Sequence, residues 1–155
     1  MTYCVGLFLR GGLVMLGDTR TNAGVDNVST FGKLYTTGVE GERALCLLSS
    51  GNLGITQAAW NRLEEGVSLE GETHTLRSVP SMFRAAQLVG AAIRAVYTSD
   101  GPALKAQGLS FSASFLLGGQ IRGGPPRLFL VYAAGIFIEA SADTPFLQIG
   151  EHKYG

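Results

Sequence analysis

The sequence predicts an α+β domain in which helices are grouped against antiparallel sheets. Apolar runs typical of strands fill the first fifty residues and return after residue 109, and two helical patterns lie between them. This order of strands, two helices and strands is typical of the α+β class. Because the sequence contains no repeat, low-complexity segment or internal boundary, we expect residues 1–155 to form a single domain.

The first half of the predicted domain alternates strands and turns. The run at residues 3–9 and the run at residues 13–16 flank Arg10-Gly11-Gly12, which predicts a hairpin. Residues 20–29 are polar and predict a loop. Two further strands are predicted at residues 33–37 and 44–50.

Two helices are predicted in the middle of the chain. Asn52 is a suitable N-cap for the first helix, and Gly66 lies near its end. A polar connection at residues 70–78 follows, and Pro80 predicts the first turn of the second helix. An apolar stripe at helical spacing marks the second helix. Its members are Met82, Ala86, Val89, Ile93 and Val96.

A turn-rich linker is predicted at residues 99–108, and strands follow it to the end of the chain. The predicted strands cover residues 110–117, 128–133, 136–140 and 146–149. With the earlier strands they are sufficient for two antiparallel sheets with the helix pair on one face.

Composition excludes several function classes. The net charge is zero and there is no basic block, which argues against a nucleic-acid partner. No apolar run approaches the ~18 residues of a membrane span, and no secretory signal precedes the first strand. Cys4 and Cys46 lie in apolar runs without a CxxC pattern, so we expect reduced thiols in a cytoplasmic protein. Because 46% of the residues are hydrophobic and only 15% are charged, we expect part of the surface to be covered by further copies of the chain.

Thr2 is a candidate nucleophile if Met1 is removed. A terminal threonine carries a hydroxyl and a free α-amine on one Cα, and the α-amine has a reference pKa of about 7.7–8.0. It can therefore accept the hydroxyl proton near neutral pH, as a nucleophilic hydroxyl requires. A threonine at position 2 is also common without any catalytic meaning.

Lys33 and Asp18 form the second part of the candidate site. Lys33 lies between Phe31 and Leu34 in an apolar context, where an ammonium needs a partner, and Asp18 at the end of the second strand is the obvious one. A cation close to Thr2 favours deprotonation of the hydroxyl and a neutral α-amine. The alternative interpretation is a purely structural ion pair.

Ser49-Ser50-Gly51 ends a predicted strand just before a helix. A glycine there allows a carbonyl oxygen to approach a backbone N–H, as in an oxyanion hole. The alternative is an ordinary strand-to-helix turn.

Other chemistry has little support, because His74 and His152 are far apart in sequence and the chain lacks G-x-S-x-G, P-loop and Rossmann motifs.

Taken together, these motifs resemble the proteasome β-subunit family of N-terminal nucleophile hydrolases, and most of all its bacterial Anbu (ancestral β-subunit) branch. The resemblance covers essentially the whole chain. The matching residues are 2–6, 17–24, 31–34, 50–52, 115–119 and 128–135.

The resemblance implies a threonine peptidase that needs no cofactor or metal and hydrolyses peptide bonds through an acyl-enzyme ester. Thr2 would be the nucleophile, Asp18 and Lys33 would tune it, and the Gly51 N–H would face the oxyanion. The positions matching the family's substrate pocket are Thr21, Phe31, Ser49 and Leu53. The partners implied are a peptide or protein substrate and copies of the chain in a ring or helical array, with any unfoldase left open.

The resemblance also implies a four-layer αββα sandwich. Family members usually continue beyond position 155, so we expect this chain to be a truncated form that lacks the second outer helix layer and leaves one sheet face exposed. Many members continue from the last strand into Gly-Ser-Gly, whereas this chain reads Gly150-Glu151-His152. Two alternatives stay open: a non-catalytic assembly subunit of the same fold, and an amidase of the same superfamily acting on a small amide.

Overall fold

The computed structural model describes residues 2–22 and 28–154 and confirms the α+β class. The described part begins with the strands β1 (Tyr3–Leu9), β2 (Gly12–Gly17), β3 (Arg20–Asn22), β4 (Val28–Thr30), β5 (Leu34–Val39) and β6 (Arg43–Gly51). The middle contains α1 (Leu53–Glu65), β7 (Val67–Leu69), β8 (Glu72–His74) and α2 (Met82–Ala106). The last elements are β9 (Ala113–Ile121), β10 (Arg127–Val131), β11 (Phe137–Glu139), β12 (Phe146–Gly150) and a short 3₁₀ helix (His152–Tyr154).

Two antiparallel sheets carry the fold. The larger sheet has the strand order β11-β10-β9-β6-β5, and the smaller has the order β12-β1-β2. The strand β1 therefore lies in the centre of the smaller sheet, between the second strand of the chain and the last. This arrangement brings the N-terminal segment next to residues near the end of the chain.

The first core lies between the helix pair and the larger sheet. The predicted stripe of α2 is buried in it at every position, together with Leu47 and Phe115 of the sheet. The side chain of Asn52 caps α1 by accepting hydrogen bonds from the N–H groups of Gly54 and Ile55, as the sequence predicts.

The second core lies between the two sheets and brings β1 close to β6. Cys4 and Leu48 are completely buried in it. A β-carbon on Gly17 would lie 2.7 Å from Leu48 Cδ2 and 3.1 Å from Cys4 Sγ, so a larger residue there would require these side chains to shift. The start of β1, which follows Thr2, thus lies close to the last residues of β6, the strand that ends at Gly51.

The outer face of the smaller sheet is apolar. Residues that alternate with its buried positions carry exposed hydrophobic side chains, namely Leu9, Val14, Leu16 and Phe146. In the described part of the chain both α-helices pack on the larger sheet, so the structure presents three layers of the expected four. Neither of these helices is long and apolar enough to cross a membrane.

Two of the predicted connections are wrong because they contain short hairpins. In the segment predicted as a loop at residues 20–29, β3 pairs with β4, with Arg20 opposite Thr30. In the connection predicted at residues 70–78, β8 pairs with β7, with Val67 opposite His74. Both hairpins consist of three-residue strands, which are too short to show a reliable periodicity in the sequence.

The ends of α2 also differ from prediction. Helix α2 begins at Met82 with Ser81 as its N-cap, so Pro80 lies before the cap and not in the first turn. The predicted linker at residues 99–108 is wrong because α2 continues through Pro102 to Ala106. Leu104 packs against the helix-side core, and this tertiary burial offsets the local signal of proline against helix. The other predicted strands are present with shifted ends.

Candidate active site

Thr2 lies immediately before β1 and is half-buried. Its carbonyl oxygen accepts a hydrogen bond from the Glu151 N–H at 2.7 Å. The next residue, Tyr3, pairs with Gly150 of β12, and Cys4 pairs with Gly17 of β2. Thr2 is therefore held in place at the end of a central strand.

The predicted pairing of Lys33 with Asp18 is confirmed. Lys33 Nζ donates to Asp18 Oδ1 at 2.8 Å and also donates to the carbonyl oxygen of Arg20. The same Asp18 oxygen accepts the Tyr3 N–H at 3.0 Å, and the Asp18 N–H donates to the Tyr3 carbonyl at 3.1 Å. The buried cation and its carboxylate thus lie one peptide group away from Thr2.

The Asp18 carboxylate is held in its charged form. Partial burial acts to raise the pKa of Asp18, but the hydrogen bonds from Lys33 Nζ and the Tyr3 N–H outweigh it, and the pKa lies below its usual value. Because Lys33 is only 5% exposed, its ammonium depends on this carboxylate and on the Arg20 carbonyl for the solvation that water would otherwise provide.

Cys4 lies close to this pair but is not suited to act as a nucleophile. Burial raises the pKa of the Cys4 thiol to about 11, although the positive charge of Lys33 acts in the opposite direction. Its Sγ is 3.8 Å from the Ser49 carbonyl oxygen, to which it donates. A neutral, fully buried thiol packs as a small apolar group, so it does not compete with the Thr2 hydroxyl.

The end of β6 reaches the same region. The Ser49 N–H donates to the Lys33 carbonyl at 3.0 Å, which connects β6 to the segment that carries the buried ammonium. Two residues later, Gly51 has a φ of +115°, and a β-carbon there would lie 2.7 Å from the Ser112 carbonyl carbon. Only glycine fits this position, and the proposed use of its N–H as an oxyanion donor stays a prediction.

The predicted substrate-pocket residues differ in their exposure to solvent. Phe31 is exposed, with its N–H bonded to the Thr19 carbonyl at 3.0 Å, and Leu53 is half-buried at the start of α1. Ser49 is buried. The backbone of Thr21, in β3, pairs with Ser29 of β4. The side chain of Thr21 lies outside the described part of the chain. Contact of these residues with a substrate stays a prediction.

The sequence did not predict the backbone groups that bind Lys33 and Thr2. The Arg20 carbonyl accepts from Lys33, and the Glu151 N–H binds the Thr2 carbonyl. Backbone groups of this kind leave no signal in residue type. Gly150 is the exception, because a glycine at a strand end is a signal for close backbone approach.

Metal chemistry has no support in the described residues, where no cluster of three or more potential ligands occurs. His74 lies 3.4 Å from the exposed Glu72 carboxylate in a surface hairpin, and His152 lies in the terminal 3₁₀ helix. The two histidines belong to separate parts of the fold, as their distance in sequence suggests.

Comparison with known proteins identifies relatives among solved structures. A Gly-1 mutant of Anbu from Hyphomicrobium sp. strain MC1 is 47% identical, with a TM-score of 0.86 over 99% of this chain. Anbu (ancestral beta-subunit) from Yersinia bercovieri is 45% identical, with a TM-score of 0.86 over 98%. The helical assembly of the Anbu complex from Pseudomonas aeruginosa contains a chain that is 46% identical, with a TM-score of 0.88 over 98%. No protein-family model and no curated protein matches the chain.

The chain spans about 63% of the length of the first of these relatives and 62% of the other two. Over that part, both the sequence and the order of helices and sheets agree with them. The resemblance drawn from the motifs around Thr2, Asp18, Lys33 and Gly51 is thereby confirmed. Over nearly its whole length, this chain is similar to the Anbu (ancestral β-subunit) proteins, the proteasome-type branch that the sequence motifs indicate.

Proposed function

We propose that this chain is a threonine-type peptidase subunit of a proteasome-like self-assembling complex and that it hydrolyses peptide bonds with Thr2 after removal of Met1. The observation that carries the proposal is the ion pair between the buried Lys33 and the partly exposed Asp18, which is joined by a 3.0 Å hydrogen bond to the peptide group between Thr2 and Tyr3. A buried cation beside Thr2 would stabilise the negative charge that develops on the threonine oxygen during a reaction.

The first half of the proposed reaction forms an ester. The Thr2 hydroxyl transfers its proton to the free α-amine, and Oγ1 attacks the substrate carbonyl carbon. The tetrahedral oxyanion is stabilised by a backbone donor, for which the Gly51 N–H is the candidate. When the intermediate collapses, the C–N bond breaks, the α-ammonium gives its proton to the leaving amine, and the acyl group stays on Thr2.

The second half returns the enzyme to its starting state. Water gives a proton to the α-amine and attacks the ester carbonyl. The bond between the acyl carbon and Oγ1 breaks, a carboxylic acid leaves, and Oγ1 regains its proton from the α-ammonium. No metal or organic cofactor enters either half.

Lys33 and Asp18 have separate tasks in this proposal. The Lys33 ammonium lowers the cost of negative charge on Oγ1 and disfavours a second cation on the α-amine. Asp18 pairs with the nearly buried Lys33 ammonium and orients the Tyr3 N–H. The pair thus tunes the nucleophile, and the α-amine carries the protons.

Assembly is the second part of the proposal. The related chain from Pseudomonas aeruginosa comes from a helical assembly of the Anbu complex. In this chain the outer face of the smaller sheet exposes Leu16, Val14 and Phe146, and a contiguous apolar face of this kind is typical of a protein interface. We propose a homo-oligomeric state in the cytoplasm, which suits the free thiols of Cys4 and Cys46.

Hydrolysis of a fluorogenic peptide amide by the purified protein tests the peptidase proposal. We expect Thr2→Ala to abolish turnover and Thr2→Ser to retain part of it, because serine keeps both the hydroxyl and the α-amine. Thr73→Ala, on the distant hairpin of β7 and β8, serves as the control and keeps the wild-type rate.

Two other outcomes of the same experiment favour the alternatives. Turnover of a small amide without any peptide turnover, lost in Thr2→Ala, indicates an amidase. If neither substrate is turned over and Thr2→Ala forms the same oligomer as the wild type in light scattering, the chain is a non-catalytic assembly subunit.

A further inference from the structure

We infer that Gly150 and the N–H of Glu151 position the nucleophile by fixing the peptide group between Thr2 and Tyr3. This inference rests on the proposed function of Thr2. It assigns a role to two residues at the far end of the sequence that do not touch the substrate. They are therefore positioning residues and not catalytic ones.

A residue at the chain terminus has fewer backbone connections to the fold than a residue within the chain. Once Met1 is removed, Thr2 has no preceding peptide group, so the peptide group that follows it is its one backbone connection to the fold. The direction of the hydroxyl and of the α-amine then depends on the orientation of that peptide group and on rotation about two bonds of Thr2 itself. An unrestrained peptide group would leave both reacting atoms poorly placed.

The structure restrains this peptide group at both of its polar atoms. Its oxygen, on Thr2, accepts from the Glu151 N–H at 2.7 Å. Its N–H, on Tyr3, donates to Asp18 Oδ1 at 3.0 Å. Two hydrogen bonds on opposite edges of one planar group fix its rotation about the chain direction. Asp18 therefore restrains one edge, and Glu151 restrains the other.

Gly150 makes the hydrogen bond from the Glu151 N–H to the Thr2 oxygen possible. It pairs with Tyr3 at the end of β12 and has a φ of +92°. A β-carbon at this position would lie 2.7 Å from the Thr2 carbonyl carbon and 3.3 Å from the Tyr3 nitrogen, and would overlap the Thr2 carbonyl oxygen. These are backbone atoms and cannot rotate away, so any side chain would push the Thr2 peptide group out of position.

Gly150→Ala tests this inference, with Gly12→Ala as the matched control. Gly12 lies in the same small sheet and also has a positive φ, of +137°, but a β-carbon there would meet nothing within 4 Å. The two variants share the conformational strain of alanine at positive φ, and only Gly150→Ala adds the collision with Thr2. The measured quantities are the inactivation rate constant and the half-saturating concentration for a peptide epoxyketone.

We expect Gly150→Ala to lower the inactivation rate constant by about 10²-fold, since displacement of a reacting group by about 1 Å has an effect of that size. The half-saturating concentration stays within about twofold of wild type, because the substrate pocket is unchanged. Gly12→Ala keeps the wild-type rate constant. Equal rate constants in the two alanine variants would overturn the inference.

A second pair of variants covers the case in which Gly150→Ala does not fold, as judged by circular dichroism. Glu151→Pro removes the N–H donor and places the ring Cδ where the amide hydrogen pointed at the Thr2 oxygen, and Glu151→Ala keeps the donor. We expect the proline variant to inactivate at least about tenfold more slowly than the alanine variant. Equal rates would show that the hydrogen bond does not position the nucleophile.

Hydrogen exchange separates a failure of this inference from a failure of the proposed function. If the wild type does not react with the epoxyketone, the peptidase proposal fails, and the Glu151 amide is followed by NMR instead. Slow exchange of this amide in the wild type and in Gly12→Ala, but fast exchange in Gly150→Ala, supports the restraint on Thr2. Fast exchange in all three proteins overturns it.

Discussion

Two ion pairs of nearly equal length have different roles in this molecule. Lys33 Nζ and Asp18 Oδ1 are 2.8 Å apart, and Arg84 Nη1 and Glu70 Oε1 are 2.7 Å apart. The side chain of Lys33 is 5% exposed, whereas the side chains of Arg84 and Glu70 are 34% and 66% exposed. Distance alone therefore does not distinguish the pair beside Thr2 from a pair on the surface.

The two ion pairs differ in the burial of their cations and in the further hydrogen bonds that their members make. Near the start of α2, Arg84 Nη1 donates hydrogen bonds to Glu70 Oε1 and to Gln87 Oε1, and water also reaches the Arg84 side chain. Lys33 is enclosed between protein groups, and its carboxylate partner also accepts the N–H that follows Thr2. A pair with one buried member is more costly to disturb than an exposed pair, which contributes little to stability.

Removing the cation gives the largest expected effect. We expect Lys33→Met to lower the rate of epoxyketone adduct formation by at least about 10³-fold, because the charge that favours the Thr2 alkoxide is gone. The free energy of unfolding falls by about 2 kcal/mol, a value reduced from that of fully buried pairs because Asp18 is partly solvated. Adduct formation by mass spectrometry and urea unfolding measure the two effects.

Arg84→Met is the matched control for that variant. It removes the cation of a pair of the same length and leaves both the adduct rate and the unfolding midpoint close to the wild-type values. A Lys33→Met protein that reacts as fast as Arg84→Met would mean that the buried cation takes no part in activating Thr2.

Neutralising the carboxylate gives an intermediate effect. Asp18→Asn keeps the shape of the side chain and an oxygen that can accept the Tyr3 N–H, but it leaves Lys33 without its counter-charge. We expect a loss of about 10- to 100-fold in adduct rate, because Asp18 acts through Lys33 and the Thr2 peptide group and not on the substrate. Kinetic comparison with Glu70→Gln, which keeps the wild-type rate, checks this expectation.

Lowering the pH gives the smallest of the expected effects, a change in the stability that Asp18 contributes. The folded-state pKa of Asp18 lies below its usual value, so folding favours the charged carboxylate. Its contribution to stability is fully present above the unfolded-state pKa of about 3.9 and is lost as the pH falls through the lower folded-state value. The stability difference between wild type and Asp18→Asn, measured by urea unfolding, should stay constant from about pH 8 to pH 5 and shrink below about pH 4. A difference that shrinks already above pH 5 would contradict the lowered pKa.

The residues that the sequence predicted well are those whose local context determines their environment. Lys33 in an apolar segment predicts a buried cation, and Asp18 at a strand end predicts its partner. The stripe from Met82 to Val96 predicts the buried face of α2 because its period is that of a helix. Each of these inferences needs only neighbouring residues or one reasonable pairing.

The features that the sequence did not predict depend on tertiary contacts. Helix α2 passes through Gly101 and Pro102 because Leu104 packs on the core, which no local signal reveals. The hydrogen bond from Glu151 to Thr2 requires that the first and last strands of the chain pair in one sheet. A backbone donor can belong to any residue type, so only the structure identifies this one.

The intact mass of the purified protein, measured before and after incubation with a peptide epoxyketone, tests the central claim most directly. This reagent needs both the hydroxyl and the amine of a terminal threonine and adds to them without a leaving group. We expect a chain that lacks Met1 and gains the full mass of one inhibitor molecule, with no gain in Thr2→Ala. A chain that retains Met1, or one that loses Met1 and gains no inhibitor, would contradict it.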